Sequence, residues 1–275
     1  MAGAIAGGGT VSAQGRGRTG REVRVLPALA AGPVDMPFPI LSWSEDFTHD
    51  LDWNEHSHPY HELLWNERGA STAVVGARVW TVTPTLGLWM PAGTLHSGSA
   101  AAGTRCRASL FGFDAVAPIS PTPVAVEITP LLRLLLERLA GTELPARSRE
   151  LTEAMVLDVL TPSPHELLLK MPTSELLRPI ADAVTTDPAD RRGLAEWASL
   201  LGVSARTISR AFNAETGTSF ARWVAAVRAQ HAVELLTRGW PVDVVAERVG
   251  YRSASAFGAA FRRTTGLTPG VFRAP

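Results

Sequence analysis

One pattern occurs twice in the C-terminal part of the chain, and this repeat limits the possible folds more than any other feature. In the first copy, an amphipathic segment over residues 194–201 ends at Gly202, and Ser204 then opens a second helical segment. In the second copy, residues 242–249 end at Gly250, and residues 254–264 continue as a helix. Glycine supplies the tight turn and serine accepts a free backbone N–H, so each copy has the pattern of a helix-turn-helix motif.

The spacing of the two copies makes the pair more specific than a single motif. Gly202 and Gly250 lie 48 positions apart, and Phe212 and Phe261 lie 49 apart, which indicates a structural repeat. The joining segment, residues 218–237, has apolar side chains at helical intervals. Twenty helical residues span about 30 Å, close to the roughly 34 Å of one turn of B-DNA. One chain could therefore place two recognition helices in successive major grooves.

Residues around the repeat point to a known family. The matching residues are Ala246, Gly250, Tyr251, Ser253, Phe257, Phe261, Arg262, Gly266, Thr268, Pro269 and Arg273, with Glu215, Thr216 and Gly217 after the first motif. With them, the segment resembles the DNA-binding domain of the AraC/XylS family of bacterial transcription regulators. The resemblance is strong in the last hundred residues and looser in the N-terminal half. It implies operator DNA, a small-molecule effector, RNA polymerase and a second copy of the chain as partners.

The charge of the chain is divided unevenly between its two parts. The formal net charge is zero, but residues 173–275 hold 13 arginines and no lysine against 9 acidic residues. Residues 1–172 hold 13 basic residues against 17 acidic ones. The positive part carries the repeated motif, as expected for a module that binds phosphates. The single cysteine, Cys106, cannot form an intrachain disulfide, and without a long apolar span the sequence predicts a soluble cytoplasmic protein that does not enter a membrane.

The N-terminal half has short candidate strands punctuated by glycine and proline. Residues 1–35 are rich in glycine and alanine and predict a disordered tail. The candidate strands that follow favour a small all-β barrel or sandwich and cover residues 62–65, 71–75, 78–83, 86–90 and 107–113. Two local motifs make this more specific, and they read His56-x-His58-x-x-x-Glu62 and Pro91-x-Gly93-x-x-His96. Together they resemble the two halves of the cupin signature, which implies a jelly-roll barrel.

The chemistry of these motifs leaves two alternatives for the pocket. His56, His58, Glu62 and His96 could converge inside the barrel, where three imidazoles and a carboxylate suit Zn²⁺, Fe²⁺, Mn²⁺ or Ni²⁺. The same four side chains could instead hydrogen-bond a small organic effector, which is the use that the family resemblance implies. No cofactor is therefore certain, and a divalent transition metal stays open. His61, beside Glu62, is expected to face outward from its strand.

Two helices are predicted between the barrel and the repeat. A leucine-rich segment, residues 131–139, is followed by a second helical segment, residues 150–160. The resemblance implies a dimerisation helix here, and the alternative is a helix that only covers a face of the barrel. The predicted fold is therefore an α+β multidomain chain. Its parts are a tail (1–35), an all-β cupin-like effector-binding domain (36–117), a helical linker and dimerisation region (118–172), and an all-α double helix-turn-helix DNA-binding domain (173–275).

The two recognition helices differ in the side chains that they offer to DNA. In the first, Arg206 and Arg210 can each bind guanine O6 and N7, since Ile208 and Phe212 are spaced to face the core. In the second, the groove-facing positions carry alanine, serine and glycine beside arginines that suit phosphates. The predicted DNA contacts are Ser204, Ala205, Arg206, Thr207, Ser209, Arg210, Arg252, Ser253, Ala254, Ser255, Ala256, Ala259, Arg262 and Arg263.

The sequence therefore predicts a transcription regulator that responds to an effector, binds DNA as a homodimer and is not an enzyme. Two other classes stay open. A metal-dependent cupin enzyme with an appended DNA-binding domain would need an open metal coordination position. A constitutive architectural protein with a structural barrel would bind DNA without any dependence on a ligand.

Overall fold

The computed structural model describes residues 12–13, 21–141 and 143–273. The chain divides into two compact units, of which the N-terminal one comprises Met1–Gly76 and Val82–Glu166. The C-terminal unit comprises Ala77–Thr81 and Leu167–Pro275. Among the described residues, no helix combines the length and apolar character needed to span a membrane.

Strands dominate the first part of the chain and helices the second. The strands are β1 (Ser12–Ala13), β2 (Glu22–Val25), β3 (Ile40–Asp46), β4 (Leu51–His56), β5 (His61–Arg68), β6 (Ser71–Val75), β7 (Arg78–Val82), β8 (Leu86–Met90), β9 (His96–Ala100), β10 (Arg105–Phe111), β11 (Val124–Glu127) and β12 (Leu168–Lys170). The helices are α1 (Pro130–Leu139), α2 (Ala146–Val159), α3 (Arg178–Thr186), α4 (Leu194–Leu201), α5 (Ala205–Thr216), α6 (Phe220–Thr237), α7 (Val242–Arg248) and α8 (Ala254–Thr265). A 3-10 turn, Pro269–Phe272, follows α8.

Two sheets form the N-terminal unit. One has the strand order β1-β2-β4-β9-β6, and the other has the order β11-β8-β5-β10-β3. The pair β2–β4 is parallel, and the remaining pairs of these two sheets are antiparallel. Strands that are far apart in the sequence thus lie side by side, as in jelly-roll folds. The predicted all-β domain followed by a helical domain is confirmed.

Part of the segment predicted to be a tail belongs to this unit. Strand β2 pairs with β4, and the guanidinium of Arg24 donates to both carboxylate oxygens of Glu45, at 2.7 and 2.5 Å. The Asn54 side chain bonds both the N–H and the C=O of Leu26, at 2.6 and 3.0 Å. The composition of residues 21–35 was misleading because side chains from distant strands hold their backbone. Residues 1–11 and 14–20 of the predicted tail lie outside the described residues.

The helices α1 and α2 cover the outer face of the second sheet. One apolar cluster joins both helices to the sheet, and it includes Leu132, Leu135, Leu136, Leu139, Val156, Leu63, Trp65, Trp89 and Phe111. Each large apolar side chain that is fully buried contributes about 1.5–3 kcal/mol to stability. The helical hairpin is therefore an integral part of the N-terminal unit.

In the C-terminal unit, the repeat extends to individual hydrogen bonds. Ser204 Oγ accepts from the N–H of Thr207 at the start of α5, and Ser253 Oγ accepts from that of Ala256 at the start of α8. Gly217 and Gly266 then end the two helices with φ of 73° and 75°, a left-handed conformation that costs glycine little. The connecting helix α6 buries Trp223 and Val227 in the apolar cluster of the first motif, and it also contacts α7 and α8 of the second, so both motifs share one scaffold.

Candidate sensor pocket and DNA-binding surface

Three of the predicted histidines meet inside the N-terminal unit. His56 ends β4 and His96 begins β9, and the two residues pair directly across these strands. His58 lies in the turn after β4, and one ring nitrogen of each histidine lies within 4.8 Å of the others. The ring centroids of His56 and His96 are 4.3 Å apart.

Glu62 completes this cluster from the other sheet. It lies on β5, and its Oε2 is 3.6 Å from His58 Nε2 and 3.9 Å from His96 Nε2. This oxygen is fully buried and has no hydrogen-bond donor among the described residues. The structure therefore brings together all four side chains that the sequence motifs singled out.

Backbone carbonyls orient two of the imidazoles. The Nδ1 of His56 lies 2.7 Å from the carbonyl oxygen of Asn54, and that of His96 lies 2.9 Å from the carbonyl oxygen of Thr94. Because a carbonyl oxygen only accepts, each Nδ1 carries the proton and each Nε2 presents a lone pair. This orientation of ring nitrogens is the one found around protein-bound metals.

Burial keeps these histidines neutral. Desolvation lowers the pKa of His58 to about 4 and that of His96 to about 4, and it also lowers the pKa of His56. Desolvation raises the pKa of Glu62, and the nearby His96 partly opposes this rise. The pocket thus presents neutral imidazole lone pairs and one carboxyl group, which suits a metal cation or a ligand that donates hydrogen bonds.

An apolar wall lies beside the histidines. The ring of Tyr60 stacks on His58 with a centroid distance of 5.2 Å and an interplanar angle of 7°. Tyr60 belongs to a cluster with Ala108, Leu110, Met36, Leu41 and Leu64. A cluster of polar groups next to apolar side chains is typical of small-molecule sites.

Residues 26–32 form a strap along the turn that carries His58. The N–H of Leu29 donates to the carbonyl oxygen of Ser57 at 3.2 Å, and Ser57 Oγ donates back to the carbonyl oxygen of Leu29 at 2.7 Å. The N–H of Gly32 donates to the carbonyl oxygen of Pro59 at 3.1 Å. These bonds fix the turn on both sides of His58. Sequence reasoning missed the strap because its composition resembles that of a tail.

His61 faces away from the pocket, but it is not exposed. Successive side chains of a strand point to opposite faces, so His61 and Glu62 lie on opposite sides of β5. The imidazole is only 3% exposed and lies between the rings of Trp89 and Phe113, at 5.4 and 5.8 Å. Its Nδ1 accepts from the N–H of Ala92 at 2.9 Å. His61 thus faces away from Glu62, as expected, but it lies in a buried aromatic stack and not on the surface.

Helix α5 presents a polar stripe on the face opposite its core contacts. Ile208 and Phe212 are buried, whereas Arg206, Thr207 and Arg210 are exposed. Of the other predicted contacts, Ser204 is exposed and acts as the N-cap, and Ala205 and Ser209 are half-buried. Asn213, which sequence reasoning did not select, is exposed as well.

Helix α8 repeats this arrangement with smaller side chains. Phe257 and Phe261 are buried in the core. The predicted contact positions are all exposed, and they are Arg252, Ser253, Ala254, Ser255, Ala256, Ala259, Arg262 and Arg263. The exposed side chains of α8 are thus alanines and a serine in its first part and two arginines in its last turn.

Some arginines of the C-terminal unit are paired with carboxylates, and others are not. Arg178, Arg192 and Arg238, which lie outside the recognition helices, form ion pairs with Glu175, Asp190 and Glu234. Among the described residues, no carboxylate lies within ion-pair distance of the arginines on or next to α5 and α8, which are Arg206, Arg210, Arg252, Arg262 and Arg263. These side chains leave uncompensated positive charge on the motif surface, which suits a phosphate backbone. Outside the two recognition helices, Arg191, Arg222, Arg248 and Arg273 likewise have no carboxylate within ion-pair distance among the described residues.

Comparison with known proteins agrees with this two-part arrangement. A helix-turn-helix domain family model matches residues 197–275, and an AraC-like ligand binding domain model matches residues 46–157. Two curated relatives are also similar. The chain is 29% identical to the HTH-type transcriptional regulator NimR of Escherichia coli over 82% of this chain and 84% of NimR. It is 42% identical to the regulator RipA of Corynebacterium glutamicum over 37% of this chain and 31% of RipA.

A solved structure is similar in the C-terminal part. The C-terminal domain of AraT, a response regulator from Geobacillus stearothermophilus, is 30% identical over 36% of this chain and 84% of that domain, with a TM-score of 0.34. The relatives that match are transcription regulators. With both family models in the expected order, the chain belongs to the AraC family of transcription regulators, with an N-terminal ligand-binding domain and a C-terminal helix-turn-helix DNA-binding domain.

Proposed function

We propose that this regulator binds operator DNA through the exposed faces of α5 and α8 and binds its effector at the pocket of His56, His58, Glu62 and His96. The observation that carries the DNA part is the uncompensated arginine charge on the repeated motif. It also supports residues 173–275 as the DNA-binding domain. The pocket serves binding rather than catalysis in this proposal, because the relatives that match are regulators.

The DNA part is tested on the full chain by measuring affinity for a selected operator over a range of salt concentrations. We expect steep salt dependence, because each neutralised phosphate releases counterions. The double variant Arg206→Ala/Arg210→Ala should lose sequence preference. A matched control is Arg238→Ala, since Arg238 is exposed but paired with Glu234 and lies outside both motifs. Equal loss in the control and in the double variant would contradict the proposal.

A divalent transition metal is a second candidate for the pocket. Three imidazoles and the buried Glu62 oxygen converge there, and that oxygen has no donor among the described residues. Bonds of about 2.0–2.2 Å to one ion place its ligand atoms about 3–3.5 Å apart, so small shifts would suffice. The four side chains would hold the ion, which would supply a positive charge for an anionic or electron-rich group of the effector.

Metal content of the purified full chain, measured by mass spectrometry, tests this candidate. One ion per chain that is lost in His96→Ala would support it. His49→Ala is the control, because His49 is exposed and lies outside the pocket. If the metal content is negligible but His96→Ala still abolishes the effector response and spares DNA binding, the pocket binds an organic effector without a metal.

We also propose a homodimer through the helical hairpin α1–α2. The face of this hairpin that points away from the sheet exposes Leu131, Leu134, Leu151 and Met155, at 48, 64, 51 and 47%. Neighbouring exposed apolar side chains of this kind mark interaction surfaces. Leu134→Glu should shift the chain to monomers in sedimentation velocity, whereas Leu157→Glu on the same hairpin should have a smaller effect because Leu157 is less exposed.

RNA polymerase is a further proposed partner, because a transcription regulator acts on transcription at its operator. The proposed location is the cytoplasm, since operators lie on the bacterial chromosome.

A further inference from the structure

We propose that Asn213 is a third DNA-reading side chain of α5 and that it contacts an adenine in the major groove. The inference rests on the proposed use of α5 as a recognition helix. It extends the reading surface by one turn beyond Arg210.

The geometry of the helix aligns Asn213 with the two arginines. At 3.6 residues per turn, Asn213 lies about 20° around the axis from Arg206 and about 60° from Arg210, whereas Ser209 lies about 60° and about 100° from them. Along the axis, Arg206 and Asn213 are about 10.5 Å apart at 1.5 Å per residue. This length fits the major groove, which is about 12 Å wide. The stripe of Arg206, Arg210 and Asn213 can therefore face the bases together.

The surroundings of Asn213 leave its amide free. The side chain is exposed, and it makes no hydrogen bond to any part of the protein that the structure describes. Only its backbone carbonyl is used, as the acceptor for the N–H of Gly217. Asparagine also has a lower helix propensity than alanine, and here no local cap or tertiary contact offsets that disadvantage. Nothing in the fold requires an asparagine at this position.

The chemistry of the amide selects one base. An asparagine side chain offers one acceptor and one N–H₂ donor group, which match the N6 donor and N7 acceptor of adenine. The two arginines, by contrast, offer only donors and match guanine. The equivalent position in α8, 49 residues later, holds Arg262, which is also exposed. The third stripe position is thus polar in both helices, and of the two side chains only Asn213 has the donor–acceptor pair that matches adenine.

The test is selection of binding sites from randomised duplexes with the full chain and its variants Asn213→Ala, Asn213→Asp and Arg210→Ala. Asn213→Ala should lose the preference for adenine at one position, by about 5- to 150-fold, within about two base pairs of the position relaxed by Arg210→Ala. Asn213→Asp should shift that position toward cytosine, whose N4 donates to a carboxylate. The salt slope of Asn213→Ala should not change, since the amide carries no charge.

Two results would overturn the proposal, and they are distinguishable. If Arg210→Ala relaxes one position but Asn213→Ala leaves every position unchanged, or weakens all sequences equally, Asn213 does not read a base. If neither variant changes the selected site, the use of α5 as a recognition helix fails as well. The thermal unfolding of Asn213→Ala should stay at or above that of the parent chain, which shows that any change in selectivity does not come from unfolding.

Discussion

The two helix-turn-helix motifs of this chain have the same scaffold and different surfaces. Helices α5 and α8 are both 12 residues long, with a serine N-cap and a left-handed glycine at the C-cap. Even the last turn is alike, because Thr216 Oγ1 donates to the carbonyl oxygen of Phe212 and Thr265 Oγ1 donates to that of Phe261. What differs is the exposed stripe. Packing and capping fix the residues of the scaffold, whereas the DNA-facing positions are free to differ.

Because their exposed side chains differ, α5 and α8 are expected to contribute differently to DNA binding. Arg206 and Arg210 of α5 correspond to Ser255 and Ala259 of α8 at a spacing of 49 residues. Short side chains reach base edges poorly, although an alanine can contact a thymine methyl group. Helix α8 instead carries its charge in Arg262 and Arg263, near its end. We therefore expect α5 to supply most of the base preference and α8 to supply mainly affinity for the phosphate backbone.

The largest expected effect comes from replacing a buried core residue of either motif. Phe212 and Phe261 occupy equivalent buried positions, so replacing either with alanine should destabilise the C-terminal unit by about 3–5 kcal/mol. Both variants should lose DNA binding for all sequences. Urea denaturation followed by tryptophan fluorescence measures the loss of unfolding free energy. A cost that is several-fold smaller for one phenylalanine would show that the two scaffolds are not equivalent.

A smaller effect should distinguish the exposed surface of α5 from that of α8. Arg210→Ala should cost about 1–3 kcal/mol of binding free energy at one half of the operator and relax the base preference there. The matched change on α8 is Ala259→Leu, which should weaken binding to all sequences through a clash and create no new preference. Binding titrations with single-base operator variants measure both. A base-specific loss in Ala259→Leu would show that α8 also reads bases.

The N-cap serines of α5 and α8 are expected to stabilise the two motifs equally, by about 1 kcal/mol each. Ser204→Ala and Ser253→Ala each remove an oxygen that accepts from a backbone N–H, so each should cost about 0.5–2 kcal/mol of unfolding free energy. Thermal unfolding of the full chain provides the measurement, and Ser255→Ala is an exposed control on α8 that is not a cap. Similar costs for the two caps would confirm that the duplicated scaffold is energetically alike.

The smallest expected effect concerns phosphates. Arg262→Ala should weaken binding to all sequences alike and reduce the slope of log K against log salt by about 0.9, the value for one lost phosphate contact. Titrations at several salt concentrations measure this slope. Arg262→Lys, which keeps the charge, should retain most of it. A change in base preference with an unaltered slope would assign Arg262 to base reading instead.

The sequence predicted the elements with regular patterns well. The bounds of β6 and β8 coincide with the expected strands, and both recognition helices begin at the residues after their serines. The candidate strands did not include β2, β3, β4, β9, β11 or β12, because these strands are held by partners that are distant along the chain. In β3, the alternation of apolar and polar residues is weak, and its position depends on pairing with β10.

The candidate sites were predictable to different extents. The pocket followed from two motifs, since the pairing of β4 with β9 brings His56 to His96. Neither the unpaired Glu62 oxygen nor the strap of residues 26–32 could be predicted, because both depend on tertiary contacts. On α5, spacing alone placed Ser209 toward the groove, but its side chain is half-buried. Asn213 lies one turn beyond the predicted contacts of α5, at a position that helical periodicity places near Arg206.

We expect the first motif to read bases and the second mainly to bind the DNA backbone. Selection of operators by the full chain tests it most directly, with Arg210→Ala used to assign each half of the site to its helix. We expect several strongly preferred base pairs in the half that changes in this variant and weak preferences in the other half. Equally strong preferences in both halves, on DNA whose shape does not explain them, would show that α8 reads bases as α5 does.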